Sequence, residues 1–235
     1  MSHPPGCRCP EWLTAPITEA DAKRVVAAHG IAVPRGATCA DPEAAGAAAR
    51  ELGGAVAVKL LAAEVAHKSD VGGVRLGLST PAAARAAAAD VLAAAAERGV
   101  ADAAVLVEAM APAGHELVIG GVADSAFGPL LMLGFGGIFV EVYRDVSFRI
   151  CPIEEADARE MLDELTAAPI VRGARGGRAG DEQAIVDALL RVGGRDGLLV
   201  RHADRIAELD VNPLIVSEHG AIAADAHIVL RGAGA

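Results

Sequence analysis

Aromatic side chains make up only 3% of this 235-residue chain: one Trp, one Tyr and four Phe. With 53% of its residues hydrophobic, the core must come from alanine, valine and leucine rather than from rings. Positive charge is scarce as well. Lys and Arg number 21 against 31 Asp and Glu, a net charge of −10. That balance argues against a nucleic-acid partner, which needs a basic face, and makes any phosphate site a local exception. No apolar run reaches the ~20 residues of a membrane-spanning helix; "LLMLGFGGIFVEV" is too short and too glycine-rich. The opening "MSHPPGCRCPEW" lacks the apolar centre of a secretory signal, so a cytoplasmic location is expected. The four cysteines, Cys7, Cys9, Cys39 and Cys151, suggest no disulfide framework in a chain this long. Cys7 and Cys9 could be half of a metal site, but no further Cys or His pair completes it. Residues 1–16 read as a flexible tail.

The remaining chain divides into helix and strand signals. Thr18 with Asp21 three residues on makes a capping box, with Ile17 as a possible staple, and the helix should stop at Gly30. "IAVP" reads as a short strand. Asp41-Pro42 starts a second helix, which ends near Gly53-Gly54. Strands "AVAVKLL" and "GVRLGL" flank a glycine turn, Thr80-Pro81 starts an alanine-rich helix ending at Gly99, and "AAVLVEAM" is a strand. Beyond "APAG", "HELVIGGVAD", "LLMLGF" and "DVSFRICPI" read as strands. In the last, Val146, Phe148 and Ile150 alternate with Ser147, Arg149 and Cys151. Helices fit 154–166 and 181–192, and "RIAELDVNPLIV" and "AIAADAHIVL" form a closing strand pair. Strands that follow one another without helices pair antiparallel. The expectation is therefore an α+β fold of two lobes, 17–110 and 111–235.

Reactive residue types gather at three places. Lys59 is a lone charge in an apolar strand: either a strand-end lysine reaching water, or a cation placed on a phosphate. The bend "AEVAHKSDVGGVRL" after it carries His67, Lys68, Gly72 and Gly73. Glycine pairs let backbone N–H groups approach an anion closely, though the pair is also what a tight hairpin needs. In "ELDVNPLIV", Asp210 and Asn212 share one strand face, while Leu209 and Val211 face the core. A carboxylate and an amide oxygen suit a hard cation such as Mg²⁺, and Asp225 on the neighbouring strand can add a third oxygen. A solvated polar face is the plainer reading. Glu108 and Glu116 bracket the lobe boundary.

"HKSDVGGVRL", "HELVIGGVADSAFGPLLMLGFGGIFVEVYRDV", "GARG" at 173–176 and "ELDVNPLIV", in that order, resemble ATP-grasp proteins. The match is to the β subunits of ADP-forming acyl-CoA (acetyl-CoA) synthetases, which are related to succinyl-CoA synthetase β subunits. It runs over about residues 17 to 230. The resemblance implies an ATP-grasp fold, two α/β lobes with the nucleotide between them. It implies His67 as a transient phosphohistidine, Gly72 and Gly73 as the loop over the phosphates, and Lys59 as a phosphate contact. Glu108 and Met110 would lie where the adenine meets the interlobe strand, Glu116 would bind the ribose hydroxyls, and Asp210, Asn212 and Asp225 would hold Mg²⁺. Asp210 departs from the glutamate of the succinyl-CoA synthetases, and residues 1–16 have no counterpart. No CoA-binding half is visible, so the resemblance implies a CoA-binding α partner and ATP or ADP as substrate. A stand-alone carboxylate ligase and a nucleotide-sensing module are the alternatives.

Overall fold

The computed structural model describes residues 17–62, 72–124, 126–136 and 145–232; the tail 1–16 and His67 lie outside the described residues. The chain opens with α1 (Glu19–Ala28). Thr18 Oγ1 accepts from the Asp21 backbone N–H at 3.3 Å while the Asp21 carboxylate accepts from the Thr18 N–H at 3.2 Å, the reciprocal cap expected from the sequence. Next come β1 (Gly36–Cys39), α2 (Pro42–Leu52), β2 (Val56–Leu61), β3 (Val74–Leu78), α3 (Pro81–Glu97) and β4 (Ala104–Ala109). Asp41 and Thr80 cap α2 and α3, each with proline in the first turn. The strands form an antiparallel sheet in the order β1-β4-β2-β3.

One face of this sheet, Val56, Val58, Leu60, Val105 and Val107, packs on α2 and α3 through Ala45, Ala48, Ala49, Ala84, Ala87, Ala88 and Val91. Alanine at these positions lets the helices lie close to the sheet and to each other, so this core closes without a ring.

The second unit contains β5 (His115–Asp124), β6 (Gly128–Phe135), β7 (Val146–Ile150), α4 (Glu155–Asp163) and α5 (Ala168–Val171). It continues with α6 (Glu182–Gly193), α7 (Leu198–Arg201), β8 (Ile206–Ser217), β9 (Gly220–Ala223) and β10 (His227–Leu230). The sheet runs β10-β8-β5-β6-β7, with β9 also on β8, and every pairing is antiparallel. Its buried face, including Leu117, Ile119, Leu131, Leu133, Leu209 and Val211, packs on α4, α6 and α7.

Several elements differ from the sequence reading. "IAVP" forms no strand; Ala32 makes an isolated bridge to Ile222, and the pairing strand is β1, whose residues carry little apolar signal. The expected single strand over 221–230 is two. β9 pairs with 214–217 and β10 with 206–210, and the break lies opposite Asn212-Pro213, where proline has no N–H to offer a ladder. The first of the late helices ends at Asp163 rather than 166. In β7 the serine is buried while Phe148 and Ile150 are about half exposed, and the Ser147 hydroxyl donates to the Glu164 carboxylate. The helix α1, expected in the first lobe, buries Ala22, Val25 and Val26 in the core of the second unit.

Candidate active site

The second face of the four-stranded sheet carries the first part of the site. Residues two apart on a strand share a face, so Ala57, Lys59 and Leu61 lie together, opposite Glu108, Leu106 and Ala104 on β4. All but Ala104 are buried. Against this face stands α1. The Lys59 ammonium donates to Glu19 Oε1 at 2.7 Å and to the Ala224 carbonyl at 2.7 Å. Glu108 Oε2 lies 3.4 Å and Asp225 Oδ2 4.0 Å from it. Lys23 completes the cluster, 2.8 Å from Glu19 Oε1 and 2.6 Å from Glu108 Oε2. Burial pushes the Lys59 pKa down, but the Glu19, Asp225 and Glu108 carboxylates outweigh it and hold the ammonium above its ordinary value. Gly36 makes room for this arrangement: a Cβ there would stand 2.6 Å from Glu108 Cγ.

Lys59 is therefore not the lone charge that its strand suggests. Its buried partner, Glu19, comes from a helix forty residues earlier. Sequence reasoning missed Glu19 and Lys23. The signal was present: positions 19, 22, 23 and 26 share one helical face, so an i,i+4 charge pair lies on the same side as Ala22 and Val26.

The second part of the site lies on β8 and the turn before β10. Leu209 and Val211 are buried, and Asp210 and Asn212 point to the opposite face. Asp210 pairs in register with His227, and the Asn212 N–H reaches the Asp225 carbonyl at 3.3 Å, which brings Asp225 to the same end of the sheet. Burial raises the Asp210 pKa and the Asp225 charge raises it further, while a hydrogen bond from Asn212 and the neighbouring His227 oppose the shift. Two carboxylates that repel each other, with an amide oxygen alongside, suit a hard divalent cation. Mg²⁺ is commonly held by one or two carboxylates together with substrate phosphates. Among the described residues no group of three or more His, Cys, Asp and Glu side chains gathers at metal-binding distance.

The remaining residues singled out in the sequence lie on β3, β4 and β5 or just beside them. Gly72 is exposed with φ 66, a left-handed conformation suited to glycine, and its carbonyl accepts from Arg75 at 2.6 Å. Gly73 is buried, and its carbonyl accepts from the Leu60 N–H at 2.7 Å, so the pair also closes the β2–β3 hairpin. Met110 is 40% exposed. The N–H groups of Ala109 and Met110 donate to the carbonyls of Arg35 and Ala55. Glu116 is exposed on β5 and shares its alternation with Gly120, which pairs with Asp210. Four residues of strand separate the two, about 13 Å. Lys59, Glu108 and Asp225 are thus brought together, as are Asp210, Asn212 and Asp225, with Asp225 common to both sets. A cavity of about 550 Å³ lies elsewhere, between α1, α6 and α7, and holds none of these residues. No helix among the described residues is long and apolar enough to cross a membrane.

Comparison with known proteins adds to this geometry. Residues 14–230 match the family model of an ATP-grasp domain. The chain is 40% identical over 220 residues to the β subunit of acetate–CoA ligase [ADP-forming] II of Pyrococcus furiosus, with 92% of each covered. It superposes with a TM-score of 0.84 on a dinucleotide-forming acetyl-coenzyme A synthetase 1 of Ca. Korarchaeum cryptofilum in complex with coenzyme A, Ca-AMPCP and HgCl⁺, at 39% identity over 92% of this chain and 93% of that one. A second structure of that enzyme holds coenzyme A and Mg-AMPPCP, with its phosphohistidine segment pointing towards the nucleotide-binding site. It matches at TM-score 0.77 and 38% identity, over 91% of this chain and 92% of that one.

Proposed function

The chain belongs to the ATP-grasp domain family, and from that premise we propose that it is the nucleotide-binding β subunit of an ADP-forming acyl-CoA synthetase. The net reaction is acyl-CoA + ADP + phosphate ⇌ carboxylic acid + CoA + ATP. The observation that carries this reading is the meeting of Lys59 and Asp225 between the two sheets. A buried ammonium on β2 and a partly exposed carboxylate just before β10 approach to 4.0 Å there, in a chain similar to the β subunit of an ADP-forming acetate–CoA ligase. Phosphoryl transfer asks a protein mainly for positioning and charge neutralisation. Asp210, Asn212 and Asp225 would hold Mg²⁺, and the ion supplies charge neutralisation at the phosphate oxygens when bound. The Lys59 ammonium would lie on the same phosphates, Gly72 and Gly73 would border them, and Glu116 would take the ribose hydroxyls. Glu108 serves from below, through Lys59 and Lys23, rather than by touching the base.

His67 would carry the phosphoryl group between nucleotide and partner. An imidazole of ordinary pKa is substantially neutral at pH 7 and can attack phosphorus. The phosphohistidine segment of the Ca. Korarchaeum enzyme supports this role. The "subunit beta" designation of the Pyrococcus relative supports a separate CoA-binding α subunit. With that subunit and labelled ATP, the wild-type chain should trap an acid-labile, base-stable phosphoryl group. His67→Ala should lose both the label and acyl-CoA synthesis, and His115→Ala should keep both. Full turnover by His67→Ala would refute the relay.

A further inference from the structure

His227 on β10 is the register partner of Asp210 on β8. Residues directly opposite in an antiparallel pair carry their side chains on one face, with Cβ atoms about 5 Å apart. The next pair, Ile228 and Leu209, is buried on the other face, so His227 shares the face of Asp210 and Asn212. The imidazole is exposed, whereas Asp210 is half-buried. It is near enough to oppose the rise in the Asp210 pKa. Among the described residues the ring makes no hydrogen bond.

The register also sets the level of this pair in the site. Glu116, the proposed ribose contact, is opposite Ile215 on β8, and Gly120 is opposite Asp210. Asn212 and Asp225 meet between those two levels, where Lys59 comes within 4.0 Å of Asp225. A nucleotide with its ribose at Glu116 and its phosphates running down this face passes Asn212, Asp225 and Lys59 first. It ends at the level of Asp210, about 13 Å along the strand. That level reads Phe148, Met132, Gly120, Asp210 and His227 across the sheet. Of these five side chains, only that of His227 has an N–H to give. Gly120 keeps the floor beside Asp210 low: a Cβ there would stand 3.0 Å from the Met132 methyl.

We propose that His227 donates a hydrogen bond to the terminal phosphate of the bound nucleotide, and so selects for the length of the phosphate chain. A phosphate oxygen brought beside the Asp210 carboxylate needs a donor to offset the repulsion, and a hydrogen bond to an anionic oxygen is of the strong kind. Lys59 serves the phosphates nearer the ribose, and His227 the last one, which is the group transferred. The inference rests on the functional reading above, in which this face holds nucleotide and Mg²⁺.

The test is calorimetric titration of the full chain with AMP, ADP and a non-hydrolysable ATP analogue at a series of Mg²⁺ concentrations. For His227→Ala, affinity for the ATP analogue should fall about tenfold, the scale of one hydrogen bond to a charged group. Affinity for AMP should not change. His227→Gln keeps an N–H donor and should recover most of the loss. The Mg²⁺ concentration giving half the metal-dependent gain in affinity should stay at the wild-type value in both variants. His227 is exposed, so neither substitution removes a core contact. Equal losses for AMP and the ATP analogue overturn the proposal, as does a glutamine variant no better than alanine. A raised Mg²⁺ requirement overturns it too, because His227 would then act on the ion through Asp210. Wild-type chain that binds neither ADP nor the ATP analogue overturns the functional reading and this inference together. Wild-type binding that strengthens with each added phosphate, with unshifted variants, overturns the inference alone.

Discussion

Asp210 is half-buried on β8, where burial and the Asp225 charge both disfavour its ionised form. A residue placed against its own solvation, with a like charge beside it, is a mark of a site built for a ligand. Asp210→Asn keeps the shape and an oxygen that can still accept from Asn212, and removes the repulsion. The nucleotide-free variant should melt at or above the wild-type temperature, and the Mg²⁺-dependent part of its ADP affinity should fall at least tenfold, the scale of losing one charged contact. Differential scanning fluorimetry and calorimetry read the two effects separately. A lower melting temperature with unchanged Mg²⁺ dependence would make Asp210 a structural residue. The cysteines tell the opposite story: Cys39 and Cys151 are buried free thiols, and burial raises the pKa of Cys151 to about 11, which makes it a small apolar side chain rather than a nucleophile.

Strand β7 shows how an edge is held at the level of elements. Among the described residues it pairs on one side, with β6. Its second attachment is polar: Arg149 donates to both oxygens of Glu164, at 2.7 and 3.0 Å, and the Ser147 hydroxyl donates to the same carboxylate. One residue before the strand, the Asp145 carboxylate accepts the backbone N–H groups of Thr166 and Ala167 at 2.7 and 2.8 Å. Together these tie the strand to the end of α4 and the turn after it. The Arg149 and Ser147 hydrogen bonds hold the Glu164 pKa down to about 2, against an ordinary 4.5. A carboxyl with a depressed folded-state pKa stabilises the fold above its unfolded value and loses that contribution as pH falls from 4.5 towards 2. Glu164 is half exposed, so solvent screens the pair and the effect is modest. Urea midpoints at pH 7 and pH 3 should fall further apart for the wild type than for Glu164→Gln. Equal differences would show that the attachment of β7 rests on the backbone ladder and Asp145 alone.

For the whole molecule, the buried charges between the two sheets are the telling feature. Four of them, Glu19, Lys23, Lys59 and Glu108, come from α1, β2 and β4. Removing one member of such a set leaves an uncompensated charge and costs about 3–5 kcal/mol, although the complete set contributes little net stability. The arrangement is better read as a device for holding two units and one cleft in register. Nucleotide should add to it from outside. At a hundred times its dissociation constant, ADP with Mg²⁺ should stabilise the chain by about 2.7 kcal/mol, seen as a rise in melting temperature, and ADP in EDTA by less. No shift at millimolar nucleotide would contradict a nucleotide site in this chain.

Much of this was written locally. The caps of α1, α2 and α3 follow from Thr18, Asp41 and Thr80 with their neighbours. The β2–β3 hairpin and the β5–β6 pair follow from short apolar runs broken by glycine. Asp210 and Asn212 on one face follow from the period of two in a strand, because these are interactions within a few residues and depend on backbone geometry alone. What lay beyond the sequence were choices made between distant segments. Glu19 and Lys59 are 40 residues apart and Lys23 and Glu108 are 85 apart, so no periodicity connects them. The helix α1 joins the core of the second unit because its apolar stripe meets a larger surface there, a comparison that only the assembled fold can make. The sequence by itself determined which residues carry charge and which face of each element they occupy. The tertiary structure decided which charges would neutralise one another and which would be left facing the cleft, because a buried charge takes whichever partner the packing brings within reach.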